Sequence, residues 1–187
     1  MTVHNMQFGF LTLTYLFFIA LALAVMEIQI EGKHGWATQL PTWRYARPWL
    51  LRLTNGRPLT GYHIALGALL LLFFHLPQAW FGWSRQAEAV TLASFFFLTV
   101  FWDFLWFVLN PHYGLRRYSQ AHVWWFPKRF LGLPVEYYGG LFLSVLSYVA
   151  LSSQDIPTAL SEWAIAGVIF LGYVVVTALL SLLIRRQ

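Results

Sequence analysis

The chain has 187 residues, of which 59% are hydrophobic, 19% aromatic and only 10% charged. Soluble domains carry about 25% charged residues, so this composition excludes an ordinary soluble globular protein. The absence of cysteine excludes disulfides, thiolate metal centres and cysteine nucleophiles. The net charge of +5 does not imply nucleic acid, because the basic residues fall along the chain in a membrane pattern.

Apolar runs at about 8–30, 60–80, 90–109, 135–152 and 164–184 approach or exceed the roughly 17–25 residues needed to span a bilayer. Backbone groups find no water in the hydrocarbon core, so each run is expected to be a helix. The reading is all-α: one domain, an integral bundle of five transmembrane helices. The first run follows "MTVHNMQF", which has no Lys or Arg and leads into no small-residue cleavage site. It is therefore expected to be a retained helix rather than a removed signal. It ends in "MEIQIEGKHGW", with Glu27, Glu31 and His34 at intervals of four and three, on one face if the helix continues. Pro41, Pro48 and Pro58 in the next loop argue against a single helix there.

The second run opens near His63. The third carries Asp103 about two turns from its end, in "WDFLWFVLNPHYG". Asn110, seven residues on, shares the face of Asp103; Pro111 stops the helix, and His112 and Tyr113 stand at its mouth. The following loop mixes Arg116, Arg117, His122, Trp124 and Lys128. Glu136 opens the fourth run, where a carboxylate also suits the positive end of the helix dipole. Gly139 and Gly140 suggest that this shortest run tilts or packs closely.

Eleven of the 12 basic residues, all but Arg85, fall on one side of a five-span arrangement. The positive-inside rule then places the N-terminus outside and the C-terminus in the cytoplasm, as expected of a bacterial inner-membrane protein. The basic face would meet the anionic lipids of the cytoplasmic leaflet, without nucleic acid, and a homo- or hetero-oligomer stays open.

With that topology Glu27, Glu31, His34, His63, Asp103, His112, His122 and Glu136 all map to the cytoplasmic half. A charged group inside a span is a functional hypothesis in its own right. Carboxylates and imidazoles suit a divalent metal, zinc or iron, assembled from facing helices. Glu27, Glu31, His34, Asp103, His112, His122 and Glu136 are the expected ligand set, with Asp103, Glu27 and His112 as the catalytic groups. Asn110, Tyr113, Arg116, Arg117, Trp106 and Trp124 are expected to meet substrate. The local signatures His-x-x-x-His and His-Glu-x-x-His are absent, so a metal-free acid–base site stays open. Haem is disfavoured: His63 and His75 lie on one helix about 18 Å apart, with no partner histidines on another span. Gly-x-Ser-x-Gly and phosphate-cradling glycine loops are also missing.

The function expected from these residues is a metal-dependent enzyme acting on a lipid or prenyl-type substrate at the cytoplasmic leaflet. The alternatives are a non-catalytic membrane subunit or lipid-binding protein with a structural polar cluster, and a proton-coupled carrier using Asp103.

Overall fold

A computed structural model describes residues 8–118 and 122–184 of the chain. The side chain of Arg116, and Arg185 and Arg186 of the basic tail, lie outside the described residues. The chain is mostly helical: α1 Phe10–Glu31, α2 Pro48–Leu53, α3 Gly61–Phe81, α4 Arg85–Leu109, α5 Val135–Leu151 and α6 Ile156–Ile184. Each of the five apolar runs coincides with one long helix. Four of them, α1, α3, α4 and α6, are long and apolar enough to cross a membrane, as in an integral membrane protein. α5 has 17 residues.

Two helices begin earlier than hydropathy suggests, because capping decides where they start. Ser84 Oγ accepts from the Ala87 N–H at 3.1 Å, so α4 opens at Arg85 rather than near residue 90. Asp155 Oδ1 accepts from the Thr158 N–H at 3.0 Å, and Pro157 follows in the first turn of α6. Both are favoured helix-start features. α3 continues through Pro77 for another turn.

α4 is the central helix and contacts α1, α3, α5 and α6. α1 is apolar all round, yet its buried residues Leu13, Leu16, Phe17, Ala20, Ala24, Glu27, Ile28 and Glu31 recur at the three-and-four spacing of one helix face. The stripe that packs inward therefore ends in two carboxylates. Ser144 on α5 donates to the Ala93 carbonyl of α4 at 2.8 Å and accepts from the Trp163 indole of α6 at 2.9 Å, joining three helices at one point. Such interhelical bonds contribute only about 0.6 kcal/mol each, so packing carries most of the cohesion.

Each of the two long loops carries a short two-stranded pair. Strands β1 (Arg44–Tyr45) and β2 (Leu59–Thr60) pair antiparallel and lead into α3, while β3 (Arg129–Phe130) and β4 (Leu133–Pro134) lead into α5. The C-terminal ends of α1 and α4 and the N-terminal ends of α3 and α5 thus meet at one end of the bundle. At the other end Glu88 accepts from Trp83, Gln78 and His75 at 3.1–3.3 Å, and Glu162 accepts from Tyr148 at 2.5 Å.

Candidate functional site

The inward stripe of α1 delivers Glu27 and Glu31 to the meeting point, each only 7% exposed. α3 delivers His63 in its first turn, because Thr60 caps that helix: Thr60 Oγ1 accepts from the His63 backbone N–H at 3.2 Å. The same oxygen lies 2.7 Å from His63 Nδ1, which directs Nε2 toward Glu31 Oε1 at 3.8 Å. Ligand atoms of Glu27, Glu31 and His63 all lie within 4.8 Å of one another, and this group can hold a metal ion.

The three residues line a cavity of about 130 Å³ with Trp36, Thr99, Trp102, Asp103, Trp106 and Trp125. Asp103 enters from α4 two turns before its end and accepts a hydrogen bond from the Tyr137 hydroxyl of α5. Glu27 accepts from the Tyr62 hydroxyl at 3.4 Å. The indole nitrogen of Trp106 is buried without a hydrogen-bond partner among the described residues. That of Trp102 faces Glu27 but also misses hydrogen-bond geometry.

The loop after α1 closes one wall under strain. Trp36 and Ala37 both adopt positive φ, 58° and 51°, an uncommon state for a bulky residue that persists only where its surroundings enforce it. The consequence is local: the Ala37 N–H donates to Glu31 Oε1 at 2.5 Å. The Trp36 ring stacks on His63 with centroids 4.4 Å apart, and the Arg57 guanidinium lies 4.7 Å from the Trp36 ring centroid. Arg57 is buried and pairs with Glu136 at 2.8 Å. Burial lowers its pKa from the ordinary arginine value, and Glu136 and Asp103 oppose that shift.

The sequence-derived ligand set divides among three places. Glu27, Glu31 and Asp103 share the acidic cavity. Glu136 is held by Arg57 and by Asn55 at 3.0 Å, so its charge is met by a cation of the protein. His112 and His122 line a second cavity with Lys33, Tyr113 and Arg117. His34 is half-buried, its backbone N–H on the Glu31 carbonyl at 2.9 Å. Asn110 is fully buried and ties loop to helix: its amide donates to the Gly32 carbonyl at 2.7 Å, and its oxygen accepts from the His112 N–H at 2.9 Å. Those two backbone contacts turn the chain so that His112 faces away from the acidic group. Trp106 lines the acidic cavity, whereas Trp124 is exposed and edge-on to Trp125.

His63 stood in the converging set but outside the expected ligands. The signal that points to it is Thr60, a cap residue three positions earlier, whose hydroxyl also reaches the imidazole. Comparison of the chain with protein-family models, curated proteins and solved structures finds no match.

Proposed function

We propose that this chain is a small membrane enzyme, dependent on zinc or iron, that acts on a lipid or prenyl-type substrate at the cytoplasmic leaflet of a bacterial inner membrane. In this reading α5 crosses with the other four long helices, the N-terminus lies outside, and the acidic cavity opens at the cytoplasmic end.

The observation that carries the reading is the Glu27–Glu31–His63 group. Buried charges need a partner or a metal, and among the described residues no cationic side chain forms an ion pair with Glu27. The 3.8 Å between His63 Nε2 and Glu31 Oε1 is too long for a hydrogen bond. It is close to the roughly 3.4 Å that separates neighbouring ligands around a tetrahedral ion with bonds of about 2.1 Å. Thr60 serves as the outer partner that metal-binding histidines use to fix their tautomer. Glu27, Glu31 and His63 would hold the ion, which would supply Lewis-acid chemistry toward a carbonyl or phosphoryl oxygen or a bound water. Asp103, across the cavity, supplies the acid–base group, with the Tyr137 hydroxyl as its proton partner.

A lipid substrate is supported by a groove of about 300 Å³ walled by Phe97, Phe101 and Phe104 of α4, Tyr137 and Leu141 of α5, and Leu171 of α6. Tyr137 links the two: it lines the groove, and its hydroxyl donates to Asp103, which lines the acidic cavity. The second reading is a non-catalytic subunit or lipid-binding protein. It is favoured by Tyr137–Asp103 and Asn110–Gly32, each of which joins separate elements. A proton-coupled carrier gains no support, because the carboxylates at the opposite end are already held by local donors.

Metal analysis of the purified chain separates the first two readings. The expected result is one equivalent of zinc or iron per chain, lost in Glu31→Ala and His63→Ala and kept in His112→Ala. Active wild-type protein without metal overturns the metal centre.

A further inference from the structure

The second cavity, of about 250 Å³, is lined by Lys33, His112, Tyr113, Arg117 and His122 and by no carboxylate. Its residues come from two segments far apart in sequence, the turn after α1 and the loop after α4. Tyr113 Oη donates to the Lys33 carbonyl at 3.1 Å and joins the two segments, and within the second Arg117 Nη1 donates to the His112 carbonyl at 3.1 Å. The second bond holds one arm of the guanidinium fork, and Lys33 lines the same cavity. A planar fork, a point charge and two imidazoles around one hollow is the donor set that phosphate oxygens take.

We propose that this cavity binds a phosphate group, and that the substrate of the acidic site carries that phosphate on its head. The second half rests on the enzyme reading above. The two cavities share one aromatic wall: the Tyr113 ring lies 5.1 Å from Trp106 and 5.9 Å from Trp125, both of which line the acidic cavity. Lys33 stands two residues beyond Glu31 on the same turn. Tyr113, Trp106 and Trp125 thus stand between the two cavities, and a single molecule that reaches past them would place its phosphate among the cations and its reacting oxygen against the carboxylate–histidine group. Diffuse attraction of anionic lipid needs only an exposed basic surface such as Arg47 and Arg52 offer, and it needs no hollow.

The test is calorimetric titration of the full chain in non-ionic detergent with three probes: dioctanoyl phosphatidic acid, dioctanoylglycerol and inorganic phosphate. The variants are Lys33→Gln with Arg117→Gln, and Arg47→Gln with Arg52→Gln; all four residues are exposed. The expected result is phosphatidic acid binding that weakens at least tenfold in the first double variant and not in the second, with dioctanoylglycerol unaffected by either. Inorganic phosphate that shows the same dependence identifies free phosphate as a sufficient ligand; binding by phosphatidic acid alone identifies a lipid headgroup. Equal weakening by both double variants reduces the effect to surface charge and overturns the pocket, as does binding that ignores the phosphate. Metal content measured on the same samples keeps the two proposals apart: a metal-free wild type that still binds phosphate through Lys33 and Arg117 sinks the metal enzyme and leaves the pocket standing.

Discussion

Glu27 and Glu136 are both carboxylates near helix ends at the same end of the bundle, and their surroundings give them opposite energetic roles. Glu136 is paired with a buried arginine. Glu136→Ala leaves Arg57 without its counter-charge and is expected to destabilise the fold by about 3 kcal/mol. Glu27 is 7% exposed and within reach of Glu31, and among the described residues its hydrogen bond is a long one from Tyr62. Glu27→Gln keeps the acceptor oxygen and removes a buried charge that has a like-charged neighbour. It is expected to raise the stability of chelator-treated protein by about 1–2 kcal/mol, the gain often available where a site sacrifices stability to function. Thermal unfolding of both variants in the presence of chelator measures the two signs. A destabilised Glu27→Gln would mean that its carboxylate is a structural tie rather than a ligand awaiting an ion.

Among the elements, the pairing of α5 with α4 depends on one glycine of two. A Cβ on Gly140 would stand 2.5 Å from Val100 Cγ2, whereas one on Gly139 meets nothing within 4 Å. Gly140→Val is therefore expected to force the helices apart at a cost of about 1–3 kcal/mol, and Gly139→Val to be tolerated. Paired unfolding curves of the two variants check this, and equal effects would overturn it. The pair Gly139 and Gly140 made a tilt or a close approach of this helix legible but not which glycine makes the contact, since that choice depends on the rotation of α5 about its own axis. The same limit governs the site. The long helices, and the end at which the polar groups gather, follow from apolar runs and charge. Which imidazole joins the carboxylates does not, because His112 and His63 lie on the same side by count. The Asn110 contacts turn one away, and the Thr60 cap holds the other in. Capping also explains the early starts of α4 and α6, where polar residues such as Glu88 and Glu162 depress hydropathy inside helical turns.

For the molecule as a whole, everything assigned to the cytoplasmic end depends on whether α5 crosses the bilayer. Its 17 residues rise about 26 Å at 1.5 Å per residue, slightly less than a hydrocarbon core of about 30 Å. A shortfall of that size is met by local thinning of the bilayer or by anchoring residues at the ends, and the partly exposed Tyr138 sits within the first turn of α5. Charge argues for crossing as well. If α5 turned back, the chain after Leu151 would start on the side of Arg44 and Arg129, and α6 would carry the basic tail to the opposite face, against the positive-inside rule. The absence of cysteine makes this directly measurable, because any introduced thiol is the only one. Ser153 and Gln39 are both exposed and lie in loops. With five crossings, Ser153→Cys in intact cells is expected to react with a membrane-impermeant maleimide, and Gln39→Cys only after permeabilisation. Should both thiols need permeabilisation, α5 does not cross. The acidic and basic cavities would still face one another across Trp106 and Tyr113, and only the leaflet from which they draw substrate would have to be assigned afresh.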